Sequence, residues 1–304
     1  MSVHVVGNVC IDTTYRVPRF PAPGETLVAS SSFSGIGGKG ANQAFAAARA
    51  GAQTALYAPV GTDAATIRIR LALHDERLGL HFTEIGPRTD SSLILVRDDG
   101  ENLIVSDTAC ARAFDPLAPA AGFAEAVRQG DVVLLQGNLA AGPTIASLEH
   151  ARGRGAKTIL NPSPLEPGCD FAWAMIDLVV ANLGEIQRLT GEIDPRAGAA
   201  ALQERGAGDV VVTLGSEGVF LVTGSGCCRI TAPKVRAIDT SGAGDILCGA
   251  AAGLIARGLA ADAAFAKAVA AAAFSVTRQG ALESCPSAAE ILAAEPTAIQ
   301  WGPR

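Results

Sequence analysis

Two clusters of small residues in this sequence have the composition for chemistry on a phosphate. The first is Asp239-Thr240-Ser241-Gly242-Ala243-Gly244-Asp245, followed by the apolar run Ile246-Leu247-Cys248-Gly249-Ala250. Gly242, Ala243 and Gly244 carry too little side chain to obstruct outward-facing backbone N–H groups. A helix beginning there adds a positive end and unpaired donors. Together these suit a phosphate, or the charge that builds up during phosphoryl transfer. Asp245 then falls in the first helical turn, beside the anion. Its carboxylate has the means to take a proton from a hydroxyl attacking phosphorus, assistance worth roughly 10²–10⁴-fold in rate. An acid at a helix start also complements the dipole without doing any chemistry, so both readings stand. No GxxxxGK[ST] pattern occurs, so the loop is not a Walker A motif.

The second cluster is Gly35-Ile36-Gly37-Gly38-Lys39-Gly40-Ala41-Asn42-Gln43, leading into the helical pattern Ala44–Ala50. Its glycines, Gly38 among them, let backbone approach a polyhydroxylated ligand. Lys39 and Asn42 near the helix start offer donors to hydroxyls or phosphate. A tight turn into a helix explains the same residues. The spacing Gly35-x-Gly37-x-x-Gly40 also fits a dinucleotide fingerprint, but no strand leads directly into it and no acid ends a second strand at the usual distance.

The elements that must position these loops read as alternating strands and helices. Apolar runs at Val3–Val6, Thr54–Ala58, Val132–Leu135, Thr158–Leu160, Leu178–Ala181 and Val210–Leu214 predict strands, several with few polar interruptions, as when both faces are covered. Helical patterns cover Gly40–Ala50, Ala64–Leu78, Thr144–Arg152, Ala197–Glu204, Ala243–Arg257 and Ala261–Thr277. The alternation predicts an α/β fold with a mostly parallel sheet between helical layers. A strand-like stretch, Val235–Ile238, precedes the first loop. Two regions break the rhythm: Thr13–Ser34, with Pro18, Pro21 and Pro23, and a hairpin pattern, Ser92–Val96 and Asn102–Ser106, around Asp98-Asp99-Gly100. Both fit a small β element added to the body, either a lid over a substrate or an ordinary edge hairpin.

Composition narrows the class. The 304 residues are 49% hydrophobic but only 5% aromatic, so the core depends on close packing of small residues. A net charge of −6 without a basic run speaks against a nucleic-acid partner. Seven cysteines, with no CxxC, read as reduced thiols of a cytoplasmic protein. The N-terminus lacks the basic flank and long apolar core of a signal peptide. The Ala-rich stretch near 260–276 carries Asp262 and Lys267 and reads as a buried helix rather than a membrane span. The four histidines, 4, 74, 81 and 150, show no ligand spacing, and no GxSxG elbow is present.

GGKGAN (37–42) and DTSGAGD (239–245), in this order and at this separation, resemble the two signatures of the ribokinase, or PfkB-type, carbohydrate kinases. Pro23-Gly24-Glu25-Thr26, Asn182-Leu183-Gly184-Glu185, Thr213-Leu214-Gly215-Ser216-Glu217-Gly218 and Thr277-Arg278-Gln279-Gly280-Ala281 are similar to further family segments, so the resemblance runs from Val3 to about Ile291. It implies a ribokinase-like three-layer αβα sandwich with a mostly parallel central sheet and a small β-sheet lid. Residues 1–304 form one kinase domain, with lid segments at about 10–35 and 90–108. ATP, Mg²⁺ and a potassium ion are implied as well. Asp245 looks like the catalytic base, and Gly242, Ala243 and Gly244 look like the anion hole.

On the same resemblance, Asn182 and Glu185 act through water on Mg²⁺–phosphate. As residues alone they also form the N-cap and N3 of a helix. Thr213, Gly215, Ser216 and Gly218 would lie near ATP, where a plain β-turn explains them equally. Asp239, Ser241, Ser275, Arg278, Gly280 and Ser284 match the potassium-site positions, mostly through carbonyls; a loop packed on a loop is the alternative.

Asp12 matches a family acid that grips sugar hydroxyls. Cys10 stands where a ribokinase usually has Asn, with Asn8 displaced by two further residues, and Asn138 stands where Glu is typical. Changes in such contacts control substrate choice, while turn chemistry at strand ends accounts for Asp12 and Asn138 without a ligand. Ribose is the first expectation. Fructose, a nucleoside or a sugar acid is the alternative acceptor within kinases. A non-catalytic sugar- or nucleotide-binding regulator and a dinucleotide oxidoreductase are the readings from other classes. An exposed lid surface implies a homodimer.

Overall fold

In the computed structural model, which describes residues 1–75, 77–98, 101–166, 170–224, 226–295 and 298–302, the predicted apolar runs lie side by side. The large sheet contains β1 (Val3–Val6), β4 (Thr54–Val60), β5 (Leu78–Glu84), β8 (Val132–Gln136), β9 (Lys157–Asn161), β10 (Leu178–Asn182), β11 (Asp209–Thr213), β12 (Val219–Thr223), β13 (Gly226–Thr231) and β14 (Ala298–Gly302). Its order is β14-β13-β12-β11-β10-β9-β8-β1-β4-β5. Pairing is parallel from β11 to β5 and antiparallel from β11 to β14. The chain thus builds a ten-stranded, mostly parallel sheet.

The helices are α1 (Lys39–Arg49), α2 (Ala64–Ala72), α3 (Ala109–Ala113), α4 (Phe123–Ala126), α5 (Ala141–Gly153), α6 (Leu183–Thr190), α7 (Pro195–Glu204), α8 (Ala243–Ala256), α9 (Ala261–Ser275) and α10 (Ala288–Ala293). Two apolar clusters show the three layers. Successive strand residues alternate between them: Val132 and Leu134 join one cluster, Val133 and Leu135 the other. The first cluster takes in α1, α8 and α9, and the second takes in α5 to α7.

Four further strands, β2 (Cys10–Val17), β3 (Ser31–Gly37), β6 (Ser91–Arg97) and β7 (Asn102–Asp107), form the separate lid sheet, in the order β3-β2-β6-β7. The expected hairpin is present as the antiparallel β6–β7 pair; two of its expected turn residues, Asp99 and Gly100, lie outside the described residues, as does Cys169. The other six cysteines are free thiols. No helix among the described residues is long and apolar enough to cross a membrane.

Two local expectations need correction. Val235–Ile238 forms no strand. Val235 and Ile238 remain 43% and 66% exposed, and Ile238 N bonds the Val276 carbonyl at the end of α9 rather than a strand. The pattern over Ala64–Leu78 divides into α2 and the start of β5, because the helix ends at Ala72 and Leu78 joins β4 in register with Thr54.

Candidate active site

Helices α1 and α8 run side by side with their N-termini together. A Cβ added at Gly249 would stand 2.1 Å from the Gln43 carbonyl oxygen, and one at Gly253 would stand 2.6 Å from that of Ala47. Only glycine permits this backbone-to-backbone approach. Both positive helix ends therefore face the same region. Gly242 supplies the turn into α8 with a left-handed φ of 75°, and Gly244 has open space where a side chain would stand.

The close packing delivers three donors to one acid. Asp245, 5% exposed, accepts from Asn42 Nδ2 at 3.2 Å on Oδ2. On Oδ1 it accepts from Gln43 Nε2 at 3.0 Å and from Lys39 Nζ at 3.5 Å. Lys39, Asn42 and Gln43 are at i, i+3 and i+4 of one helix, so they share a face. The Asp245 carboxylate, with Glu185 adding to it, holds the Lys39 ammonium above its ordinary pKa. The predicted loops thus meet through their side chains.

Asp12 sits at the root of the lid. Its carboxylate lies over Gly37, where a Cβ would stand 1.9 Å from Oδ2. The Cys10 thiol donates to its Oδ1 at 3.2 Å. Burial raises the Asp12 pKa, and the nearby Asp245 charge adds to the effect. Burial and Asp12 together push the Cys10 thiol well up, so it stays protonated as a donor. Asn8 does not join Asp12: its carbonyl accepts from Ala41 N at 3.1 Å at the start of α1. Gly38, at φ 98°, packs against Asn8 and Val9.

A cleft of about 770 Å³ separates the lid from the side of the body that carries the 239–245 loop. Asp12, Arg16, Phe33 and Ile94 line it from the lid, and Thr240 and Ser241 from the body. Asp245 is buried rather than part of that lining. Asn138 lies in the turn after β8, with Oδ1 buried and without a hydrogen-bond partner among the described residues; Asn42 Oδ1 is in the same condition.

The nucleotide candidates gather at the ends of neighbouring strands. Asn182 and Thr213 are in direct register between β10 and β11. Asn182 and Glu185 form the full capping box of α6: Asn182 Oδ1 accepts from Glu185 N at 2.8 Å, and Glu185 Oε2 accepts from Asn182 N at 2.9 Å. The cap is therefore real, and Glu185 also reaches Lys39 electrostatically. Gly215 and Ser216 form a 3₁₀ turn closed by Gly218.

The cation candidates also meet. Asp239 accepts from Ser241 N at 2.9 Å and from Gly280 N at 3.0 Å, which ties the two segments together and lowers its pKa against the effect of burial. The side chains of Ser275 and Ser284 bond nearby carbonyls, and Arg278 pairs with Glu290 at 2.7 Å. A cation there would rely on backbone oxygens, the donor type that suits potassium. No group of three or more His, Cys, Asp or Glu residues able to hold a metal occurs among the described residues.

Sequence reasoning missed Gln43, Gln136 and Asn161. The i, i+4 spacing of Lys39 and Gln43 was a usable signal, whereas Gln136 and Asn161 fall just past the predicted strands Val132–Leu135 and Thr158–Leu160 and show no spacing that marks them.

A family model described as pfkB family carbohydrate kinase matches residues 1–288. The chain is 33% identical to the ribokinase of Haemophilus influenzae over 298 residues, covering 95% of this chain and 96% of that one. It is 31% identical to the deoxyribokinase of Salmonella typhi, covering 94% and 96%. The crystal structure of a ribokinase from Thermotoga maritima superposes with a TM-score of 0.87 at 29% identity, covering 96% of this chain and 98% of that chain.

Proposed function

Since the chain belongs to the pfkB family of carbohydrate kinases, ATP-dependent phosphotransferases, we propose that it moves the γ-phosphoryl group of ATP to a hydroxymethyl hydroxyl of a pentose, with ribose the first choice. The observation that carries this reading is the buried Asp245 carboxylate, held by Lys39, Asn42 and Gln43 where two helix N-termini converge. Asp245 takes the proton of the attacking hydroxyl. The amides of Gly242, Ala243 and Gly244 stabilise charge on the transferring group, and Lys39 adds a cation beside it. Asp12, Gly38, Asn42 and Asn138 hold the sugar; the unpartnered Oδ1 atoms of Asn42 and Asn138 suit hydroxyl donors.

Asn182, Glu185, Thr213, Gly215, Ser216 and Gly218 form the nucleotide side. The capping box engages Oε2 of Glu185, and the rest of its carboxylate, with Asn182, would act through water on Mg²⁺–phosphate. Mg²⁺, when bound, neutralises phosphate charge. The backbone oxygens around Asp239, Ser241, Ser275, Arg278, Gly280 and Ser284 fit K⁺. The two sheets act as one kinase unit, with the lid covering the sugar, in the cytoplasm where ATP is supplied.

One observation favours a second acceptor. The Cys10 thiol occupies Oδ1 of Asp12 and offers a sugar hydroxyl only a weak partner. A pentose lacking one hydroxyl, such as 2-deoxyribose, fits that wall, and one relative is named a deoxyribokinase.

The lid's outer face points to a second copy of this chain. Register places Tyr15, Leu93, Leu95, Leu103 and Val105 together on the face opposite the cleft-lining Asp12 and Ile94. Tyr15, Leu93, Leu103 and Val105 are exposed there.

The test is ADP release with ATP and ribose, 2-deoxyribose, fructose, a nucleoside or a sugar acid, with and without potassium. A pentose should give the highest kcat/KM. ADP release that no acceptor raises above the acceptor-free rate would remove the proposal.

A further inference from the structure

We propose that a relay of buried side-chain amides, Asn161–Gln43–Gln136, sets the orientation of Asp245 and reserves its Oδ2 for the acceptor's proton. The proposal rests on Asp245 being the base.

The relay starts from a backbone carbonyl. Asn161 Nδ2 lies 2.8 Å from the carbonyl oxygen of Val180 on β10, which can only accept, so the amide must turn its NH₂ toward it. Asn161 Oδ1 then requires a donor, and Gln43 Nε2 stands 3.2 Å away. The same Gln43 NH₂ reaches Asp245 Oδ1 at 3.0 Å. Gln43 Oε1 faces the opposite way and accepts from Gln136 Nε2 at 2.8 Å. Turning Gln43 over would set its oxygen against two acceptors and its NH₂ against another NH₂. The strand carbonyl at one end and the carboxylate at the other therefore demand the same polarity.

Burial keeps water from relaxing that demand. Gln43 is 0% exposed, Gln136 1% and Asn161 8%. Gln136 Oε1 is left buried without a hydrogen-bond partner among the described residues, against Gly7, where a Cβ would stand 2.0 Å from it. A polar atom left unpaired in this way calls for a reason. The need to turn the Gln136 NH₂ toward Gln43 supplies it.

The count of acceptor directions then selects the oxygen. Among the described residues, Oδ1 of Asp245 receives Gln43 and Lys39, while Oδ2 receives Asn42 alone. Each carboxylate oxygen has two lone-pair sites, so the remaining site is on Oδ2. In the transfer, the acceptor O–H bond breaks and its proton passes to Oδ2 as the oxygen bonds to the γ-phosphorus. The bond from that phosphorus to the β–γ bridging oxygen breaks, with its electron pair leaving on ADP. The proton then passes to solvent.

The test uses Gln43→Met, Asn161→Ala and the double variant of the full chain, with Tm and steady-state constants for each. Positioning in series predicts that either change lowers kcat about tenfold or more and leaves KM for ATP within about twofold. It also predicts that the double variant is no slower than Gln43→Met alone. Losses in kcat that multiply and follow the fall in Tm would indicate mere packing and overturn the relay. Should Gln43→Met fail to fold, Asn161→Ala decides alone: it touches Gln43 and not Asp245, and an unchanged kcat refutes the proposal. Asp245→Asn separates the two ideas. If that variant turns over normally, the base reading fails; if it is inactive while Asn161→Ala is normal, only the relay fails.

Discussion

A carboxylate oxygen has a limited number of acceptor directions, and Asp245 and Asp12 spend theirs differently. Asp245 is surrounded by nitrogen donors from α1. Asp12 has a thiol on one oxygen and a glycine backbone against the other. Sequence made Asp245, Lys39 and Asn42 legible because the loops that carry them are short and glycine-rich. It could not show Gln136 or Asn161, since the side chain they share, Gln43, comes from α1, about a hundred residues away along the chain, and nothing in their local spacing marks them. The thiol at Cys10 has a measurable consequence. Cys10→Asn restores two amide donors and an acceptor beside Asp12. The ratio of kcat/KM for ribose over 2-deoxyribose should rise about tenfold or more, because sites built to hydrogen-bond a hydroxyl reject the analogue lacking it. An unchanged ratio would take Cys10 out of substrate choice.

At the scale of elements, the active site depends on how closely α8 lies against α1. Gly249 has the Gln43 carbonyl where its side chain would be, so Gly249→Ala must push the helices apart. The expected cost is about 1–3 kcal/mol, as for overpacking elsewhere, read as a lower denaturation midpoint. A fall in kcat should accompany it, because Lys39, Asn42 and Gln43 move away from Asp245. Wild-type stability and turnover in that variant would show that the contact does not position the site. The parallel strands were legible as unbroken apolar runs, since helices cover both faces. Strands β2 and β3 were not individually legible, because prolines, serines and glycines interrupt Thr13–Ser34 and the residues pair with one another far along the chain. Val235–Ile238 shows the converse: the β-branched Val235 and Ile238 give it a strand-like pattern, yet it stays irregular, because it pairs with no strand among the described residues.

The whole molecule joins a large sheet to a lid, and two of its properties follow from parts remote from the phosphate loop. His4 on β1 bonds Tyr57 at 3.2 Å and Asp131 at 3.1 Å, with His81 and the Arg128 guanidinium nearby. Burial, the largest influence, lowers the His4 pKa from its ordinary 6.5, outweighing the attraction of Asp131. The unfolded chain therefore binds this proton more readily than the folded one. His4 contributes stability that is full above about pH 6.5 and is lost as pH falls toward its lowered folded pKa. Tm should decline between about pH 7.5 and 5.5, and His4→Gln should flatten that decline; an equal slope in both proteins would rule His4 out as its source.

The second property is assembly. A charge at Val105→Glu on the exposed lid face should convert a dimer to monomers in light scattering at micromolar concentration, and a wild-type monomer would dismiss the lid interface.

Deprotonation by Asp245 at the shared ends of α1 and α8 is tested most directly by turnover and ATP affinity in Asp245→Asn. Turnover should fall by roughly 10² or more while ATP binds within about twofold of wild type. Near-normal phosphoryl transfer by the folded, ATP-bound variant would contradict the assignment of the base.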